Sequence, residues 1–448
     1  MRTLVLGLVL AVVPPAPATV DEYLSSALDS TGLPGVSVVV THGDHVVRAA
    51  GAGHDSLGHP VTADTPMRVA SVSKSFTAAA VMTLVEADRL SLDDEVSSWL
   101  PYPRGVTVRH LLNQTSGIRD SSVDIGRLTS ARTLAEYVSL LSPIEPAAAP
   151  GTSFSYSNVN YDVAARIVEL ASGEPFDEYV GSAVFGPLGM RHSEVGGWAA
   201  DGYNSLFGQW FSRPELADGP RVNGSGAVVT TAADMGRWLI AQTGNGVFPE
   251  SMLAPMHEPS EVDDYGMGWA PDDNGLLVHS GNLWTYNAVE AIDPRTGYGY
   301  AVMTNGAGML DDTGDILAGL VALTRGETPE TPGGSRQLTE WLLAAVTLAA
   351  AVLGVLGVVR SKRWAGRRRS ADQRVRWVSV AVRLVPPLLP VLLFGFYPQV
   401  VSFVSSGRTV LWAQLFYFAL PLTVALAVAA VAGLAILCAR VVRLCFPR

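Results

Sequence analysis

Hydrophobic residues follow three patterns along the chain, and each pattern predicts a different kind of structure. In "GVSVVVTHGDHVVRAAGAG" (residues 35–53), β-branched residues alternate around a short polar turn, which is typical of a β-hairpin. In "SKSFTAAAVMTLVEADRL" (residues 73–90), apolar residues recur at helical spacing, which predicts a buried helix that begins close to Ser71. Apolar runs of more than 20 residues with few charges, the third pattern, occur in residues 338–448.

Elements of the first two kinds continue to about residue 325. Residues 160–173 predict a helix that ends at a glycine, and residues 230–246 predict another helix with Thr231 as its N-cap. Residues 286–306 predict two strands joined by a Pro/Gly turn. Strands near both ends with helices between them predict an α/β (α+β) fold, which is a mixed, mainly antiparallel sheet flanked by helices with an inserted helical region.

Three apolar stretches after this body predict transmembrane helices, at about residues 338–359, 384–404 and 411–437. At about 1.5 Å per residue, the first stretch is long enough to cross a hydrocarbon core of roughly 30 Å. The second stretch contains four prolines, so we expect it to be kinked. Residues 326–337 are rich in proline and glycine, which predicts a linker between the body at 19–325 and the membrane domain at 338–448.

The distribution of basic residues predicts the orientation in the membrane. Residues 1–18 predict a signal peptide, with an apolar run followed by small residues, although a buried strand or helix is the alternative. Eight Lys and Arg residues lie in the loop at 360–376, and basic segments stay in the cytoplasm. The sequence therefore predicts a multi-pass protein of the cell membrane, with the body on the extracytoplasmic side and with the 360–376 loop and the C-terminus in the cytoplasm.

Charge and cysteine content narrow the classes of partner. Residues 1–337 carry 18 Lys and Arg against 39 Asp and Glu, whereas residues 338–448 carry 13 against 2, so a body of net charge −21 precedes a tail of +11. An acidic body argues against nucleic acid as a partner, and a basic apolar tail fits a lipid bilayer. Both cysteines lie in the tail, so the body has no disulfide; Cys445 is either an interfacial residue or a lipidation site.

Lys74 stands out because it is the only lysine before Lys362, while arginine supplies the other 17 basic residues of residues 1–337. Residues three apart face the same way on a helix, so the side chains of Ser71 and Lys74 can meet. A serine hydroxyl needs a base before it can act as a nucleophile, and a lysine amine in a buried or positively charged setting can be that base, whereas an arginine stays protonated. A capping serine followed by a surface lysine is the alternative.

Two further motifs follow Ser71-Val72-Ser73-Lys74 in order, namely Tyr156-Ser157-Asn158 and His279-Ser280-Gly281. With the stretches "VTVRHLLNQTSGI" and "YGMGWA", these motifs make residues 22–325 resemble the superfamily of serine β-lactamases and penicillin-binding proteins, in its class C-like branch. That branch also includes D,D-carboxypeptidases, D-stereospecific aminopeptidases and esterases. The resemblance implies a serine hydrolase that needs no cofactor.

The resemblance also implies a role for each motif residue. Ser71 would form an acyl-enzyme, Lys74 together with Tyr156 would take its proton, and Tyr156 would protonate the leaving group. The backbone N–H groups of Ser71 and Asn282 would form the oxyanion hole. The implied substrate-binding residues are Asn158, His279, Ser280, Gly281 and Asn282.

The third motif departs from that of the β-lactamases, which usually carry a lysine where this chain has His279. A neutral imidazole binds a free carboxylate less well than an ammonium does, so the sequence disfavours efficient β-lactam turnover and strict C-terminal carboxypeptidase activity. A buried strand histidine without a role is the alternative. His42 and His45 flank the first predicted turn without an acidic cluster, and no spacing typical of a metal site is present.

These observations predict a membrane-anchored, extracytoplasmic serine hydrolase, and they favour a peptidase or amidase acting on peptides that contain D-amino acids. An exported domain followed by three spans is similar to the prodrug-activating D-peptidases of nonribosomal peptide pathways. An esterase or a β-lactamase of the same superfamily, with an ester or β-lactam substrate, is an alternative. A protein that binds wall peptides or β-lactams as a sensor, without turnover, is an alternative from another class.

Overall fold

The computed structural model describes residues 19–141, 144–217, 219–369, 373–405 and 409–446. The predicted signal peptide, residues 1–18, lies outside the described residues. The α-helices are α1 Val20–Thr31, α2 Ser73–Glu86, α3 Val108–Leu112, α4 Ile125–Leu128, α5 Leu134–Leu140, α6 Asn158–Ser172, α7 Phe176–Val180, α8 Gly186–Leu188, α9 Ala232–Gln242, α10 Glu250–His257, α11 Thr313–Thr324, α12 Ser335–Arg369, α13 Gln373–Gly395, α14 Tyr397–Val404, α15 Trp412–Phe418 and α16 Leu420–Cys445. The strands are β1 Gly35–His42, β2 His45–Gly53, β3 Met67–Arg68, β4 Glu194–Val195, β5 Gly202–Leu206, β6 Gln209–Arg213, β7 Val228–Thr230, β8 Ala270–Pro271, β9 Leu277–Asn282, β10 Asn287–Asp293, β11 Tyr298–Thr304 and β12 Gly306–Ala307.

A six-stranded antiparallel sheet in the order β2-β1-β11-β10-β9-β8 forms the centre of the body. Strand β1 pairs with both β2 and β11, so the start and the end of the body meet in adjacent strands. Strands β10 and β11 are buried along almost their whole length, although β10 carries three polar residues, Asn287, Glu290 and Asp293. The expected mixed α/β fold with antiparallel sheets and helices is confirmed, and only the short β12–β5 pair is parallel among the described strands.

Helices cover both faces of this sheet. Helices α1 and α11 pack on one face through side chains such as Tyr23, Leu24 and Leu320. Helix α9 packs on the other face, and α2 and α6 extend that core towards the inserted helices α3 to α8. Thr231 caps α9 by accepting from the backbone N–H of Asp234, as its position in the sequence predicts.

Glu290 is a fully buried acid in the middle of the sheet, on β10. One carboxyl oxygen accepts a hydrogen bond of 2.8 Å from the indole N–H of Trp238 on α9. Burial raises the pKa of this carboxyl from 4.5 to about 8. Between those two pH values the folded protein keeps a proton that the unfolded chain has released.

The pKa of Glu290 therefore predicts how stability depends on pH. The protonated carboxyl of Glu290 contributes fully to the free energy of unfolding below about pH 4.5. This contribution is lost as the pH rises towards 8, and the free energy of unfolding then falls by up to about 1.4 kcal/mol per pH unit. Glu290→Gln keeps an acceptor for Trp238 and cannot ionise, so we expect it to remove this slope and to be more stable than the wild type at pH 8. Melting temperatures from pH 5 to pH 8 measure the effect, with the exposed Glu86→Gln as the matched control. If the melting temperatures of the wild type and Glu290→Gln changed with pH in the same way, the raised pKa assigned to Glu290 would be wrong.

The C-terminal region contains two helices that are long and apolar enough to cross a membrane, Ser335–Arg367 and Leu420–Cys445. A third crossing results if Val380–Gly395 and Tyr397–Val404, which meet at an angle of 68°, count as one bent span. Small residues permit the close packing of α12 on α16, since a Cβ at Gly354 would lie 2.6 Å from that of Ala432. These helices indicate membrane association, while the number of spans and their orientation stay predictions.

Two boundaries in this region differ from those expected. The predicted third span, 411–437, is divided at Ala419 into the short α15 and the long α16, since Pro421 in the first turn of α16 has no N–H to continue a helix. Helix α12 begins at Ser335, inside the predicted linker 326–337.

The first turn of α12 is fixed to the body by buried charges, which we call the junction cluster. Arg336 donates to the carboxylates of Asp312, at 2.8 Å, and Glu340, at 3.1 Å, and also to the carbonyl of Thr31. Glu340 in turn accepts from the hydroxyl of Ser205 and the backbone N–H of Gly208, which belong to the β5–β6 hairpin. The three charged side chains are at most 5 % exposed. Helix α12 is therefore docked on the body rather than joined to it by a free tether.

Candidate active site

Ser71 lies on a tight turn between β3 and α2. Residues Ala70–Val72 form one turn of 3₁₀-helix, and Ala70 has a φ of +52°, which is a strained conformation for a residue with a side chain. Strand β9 passes directly beside this turn at Gly281. A Cβ at Gly281 would lie 2.2 Å from the carbonyl oxygen of Val69 and 3.0 Å from the amide nitrogen of Ser71, so only glycine fits there.

Lys74 is fully buried in the first turn of α2, and its Nζ meets three acceptors. It lies 2.9 Å from the Oγ of Ser71, 2.9 Å from the Oδ1 of Asn158 and 2.8 Å from the carbonyl oxygen of Ser225. Three acceptors match the three hydrogens of an ammonium group. A neutral amine also fits, because Asn158 and Ser225 can take its two hydrogens while its lone pair faces the Ser71 hydroxyl. The site can thus hold a proton on Lys74 or on Ser71 without moving a heavy atom.

Tyr156 lies over this amine from the segment before α6. The Nζ of Lys74 is 4.9 Å from the centre of the Tyr156 ring, and the ring remains 38 % exposed. The backbone of the neighbouring Ser157 is held by Gln114, whose side-chain oxygen accepts its N–H at 3.0 Å. The structure therefore brings Ser71, Lys74, Tyr156 and Asn158 together, while their catalytic roles stay predictions.

His279 is a buried, neutral histidine with both ring nitrogens occupied. Its Nδ1 is 2.8 Å from the carbonyl oxygen of Ser280, which can only accept, so the proton is on Nδ1 and Nε2 accepts from the hydroxyl of Tyr265 at 2.9 Å. Burial, and next the charge of Lys74, lower the pKa of His279 from 6.5 to about 3. The imidazole is therefore uncharged at any ordinary pH.

The other third-motif residues are placed differently. Gly281 touches the Ser71 turn, and Asn282 lines the cleft with its amide bonded to Asn287 and Asp311. Ser280 is exposed on β9, and its carbonyl oxygen accepts from the Nδ1 of His279.

Asp162 is a neighbour of Lys74 that the sequence did not single out. It lies one helical turn after Asn158 on α6 and accepts the backbone N–H of Ser225 at 3.0 Å, while the carbonyl of Ser225 accepts from Lys74. Burial raises the pKa of Asp162 to about 6. Tyr265 and Ser225 were not predicted as site residues either, because each reaches the site through a contact with a residue distant in sequence. The only signal was their presence in the glycine-rich stretches around them.

A cleft of about 530 Å³ opens at Ser71. Body residues form most of its wall, and the C-terminal helical region contributes Thr409 and Gln414. The wall carries the charged side chains of Arg68, Asp120, Arg132, Asp162, Glu215 and Arg221. A cavity of about 590 Å³ elsewhere, between α1 and β2, contains no residue of the three motifs. Among the described residues, no group of three or more His, Cys, Asp and Glu side chains could hold a metal ion.

Comparisons with known proteins identify relatives of the body. The sequence model of the family described as Beta-lactamase matches residues 20–323. "Protein flp" of Staphylococcus aureus (strain N315) is 26 % identical over 319 residues, which cover 64 % of this chain and 62 % of that protein, so this chain spans about three fifths of that relative's length.

Solved structures show the same fold. The octameric penicillin-binding protein homologue from Pyrococcus abyssi matches with a TM-score of 0.61 and 26 % identity, covering 69 % of this chain and 78 % of that one. The D-amino acid amidase from Ochrobactrum anthropi SV3, complexed with D-phenylalanine, matches with a TM-score of 0.56 and 23 % identity, covering 66 % and 95 %. At that identity the amidase is similar in fold alone.

Proposed function

Because the chain belongs to the Beta-lactamase family, we propose that it is a membrane-anchored serine hydrolase that cleaves amide bonds through an acyl-enzyme on Ser71. The carrying observation is the contact of 2.9 Å between the Nζ of Lys74 and the Oγ of Ser71, in a buried site where Nζ has two further acceptors. These acceptors orient the amine so that its lone pair can receive the hydroxyl proton.

We assign each step of the reaction to a group at this site. Lys74 takes the proton as the Oγ of Ser71 attacks the carbonyl carbon, and the N–H groups of Ser71 and Asn282 stabilise the resulting oxyanion. Strand β9 supports this role, since Gly281 lets it lie against the Ser71 amide. Tyr156, next to Lys74, passes a proton to the leaving amine, and water then attacks the ester with the same groups as base.

Peptides that contain D-amino acids are the substrates we favour. The neutral His279 is tied to Tyr265 and offers no charge to a substrate carboxylate, which disfavours β-lactams and free peptide C-termini. The charged side chains of the cleft wall are balanced, with three acids and three arginines, so the case against an anionic substrate rests on His279. A D-amino acid amidase with the same fold supports the choice of an amide.

We further propose a class C-like body outside the cytoplasmic membrane, anchored by three spans. The acidic body and the basic segment at 360–376 support this orientation. Protease protection of right-side-out vesicles tests it, because added protease should digest the body and spare the segment at 360–376.

The proposal is tested by intact-mass labelling of the full chain with a fluorophosphonate and with a penicillin. We expect one fluorophosphonate adduct, mapped to Ser71 and absent from the Ser71→Ala control, and a much slower penicillin adduct. Faster turnover of an acyl-D-amino-acid amide than of its L-isomer and of a matched ester would support the peptidase. An adduct elsewhere in the chain would refute the serine assignment, and an acyl-enzyme that never hydrolyses would establish the sensor instead.

A further inference from the structure

We propose that the membrane domain is a working part of the active site: residues 409–418 form one wall of the Ser71 cleft, and Arg213 is a positioning residue that couples this wall to the turn after strand β9. The inference rests on the proposed function, because it concerns the rate at which Ser71 is acylated. It goes beyond anchoring, in which the helices would only hold the body at the membrane.

The β5–β6 hairpin supports the turn that follows the third motif. Asn204 on β5 is fully buried, and its amide donates to the carbonyl of Trp284 at 2.7 Å and to that of Ala307 at 3.0 Å. Glu215, just after β6, accepts from the backbone N–H of Trp284 at 2.9 Å and from the hydroxyl of Thr285. The turn at 283–286 connects β9 to β10, so these bonds fix the end of β9 at which Asn282 lies.

The same hairpin is held by the membrane domain at both of its ends. At the closed end, the turn Phe207-Gly208 has positive φ values of 54° and 86°, as in a two-residue type I′ turn, and Glu340 of α12 binds its backbone. At the open end, Arg213 donates to the carbonyl oxygen of Phe416 on α15 at 2.7 Å.

The planar guanidinium group of Arg213 connects the β5–β6 hairpin to helix α15. The guanidinium nitrogen that binds Phe416 also donates to the Oδ1 of Asn204 at 3.1 Å, so the amide that fixes Trp284 is oriented by the group that holds α15. The guanidinium stacks on the ring of Tyr417 at 3.6 Å, and the Tyr417 hydroxyl donates to the carbonyl of Pro214 at 3.1 Å.

The segment held in this way also lines the cleft directly. Thr409 and Gln414 share the cleft wall with Ser71, Asn158 and Asn282. Three aromatic side chains of α15, Trp412, Phe416 and Phe418, are more than a third exposed, which is typical of a helix at a membrane interface. The position of α15 in the interface therefore sets one wall of the cleft and, through Arg213, the end of β9.

The test measures acylation of Ser71 by a fluorophosphonate in the full chain reconstituted in bilayer discs. We expect Arg213→Ala and Tyr417→Leu each to lower the acylation rate about three- to tenfold, the size of effect that a lost hydrogen bond commonly gives. The double variant should be no slower than the slower single variant, since both changes break one connection. Arg213→Lys should have an intermediate acylation rate, because an ammonium keeps the positive charge over Tyr417 but lacks the planar arrangement of donors in a guanidinium. The melting temperature of each variant shows whether it is folded.

The second readout is the dependence of the acylation rate on the lipid, which a simple loss of stability would not produce. Transfer from the bilayer to a short-chain detergent should slow the wild type by a similar factor and leave Arg213→Ala unchanged. Arg295→Ala is the matched control, since Arg295 also ties a loop through a carbonyl, that of Asn274, at a site without membrane contacts. Wild-type acylation rates for both Arg213→Ala and Tyr417→Leu would overturn the inference and leave the proposed function standing. A wild type without a Ser71 adduct would refute the proposed function and this inference with it.

Discussion

Replacing Lys74 by Arg is expected to lower the acylation rate of Ser71 by about 10²- to 10⁴-fold, the usual contribution of a general base. The guanidinium stays protonated, so it has no lone pair for the Ser71 hydroxyl, although it keeps the positive charge. The rate constant for the fluorophosphonate adduct measures the effect.

A second variant at this position separates the loss of the base from a loss of packing. Lys74 is fully buried, so the larger side chain of Arg can disturb packing, and Lys74→Gln provides a smaller residue without a base. Both should lose acylation, while a melting temperature close to that of the wild type shows that the body remains folded. Near-normal labelling of either folded variant would remove the proposed role of the lysine.

Replacing Arg336 by Met is expected to destabilise the protein by about 3–5 kcal/mol, the cost of leaving buried charges without their partner. Asp312 and Glu340 would then face one another in the junction cluster with no cation between them. Burial already raises the pKa of Asp312, and loss of the Arg336 hydrogen bond and charge would raise it further. Chemical unfolding in detergent measures the change in the free energy of unfolding.

The junction cluster also provides its own control. Combining Arg336→Met with Asp312→Asn and Glu340→Gln removes all three charges, and we expect this triple variant to recover much of the lost stability. The exposed pair of Arg48 and Asp21 offers a comparison, since breaking it should have little effect. If Arg336→Met were as mild as Arg48→Met, the contacts of the junction cluster would not be those of the folded protein.

Elements with strong local signals could be predicted from the sequence. The hairpin of β1 and β2 is marked by alternation around a Gly-Asp turn, and α9 is marked by Thr231 and by helical spacing. Ser71 and Lys74 are three residues apart, so a helical turn alone brings them together. In each of these cases, the contacts that fix the structure join residues close in sequence.

Contacts between distant residues left no comparable signal. The pairing of Tyr265 with His279 depends on the path of the loop before β8, and Asp162 matters only because Ser225 comes to lie beside it. Helix α12 begins early for a similar reason. Proline and glycine around residues 326–334 favour a linker, but Arg336 binds the carboxylate of Asp312 before this segment and the carbonyl of Thr31 at the other end of the body.

The junction cluster has a consequence for shedding. Arg336 and Gln337 donate to the carbonyls of Thr31 and Ser30, so hydrogen bonds join helix α12 directly to helix α1. A protease that cut the chain between residues 326 and 334 would sever the covalent link and leave these bonds intact. The severed body would stay attached to the C-terminal helices until these contacts opened.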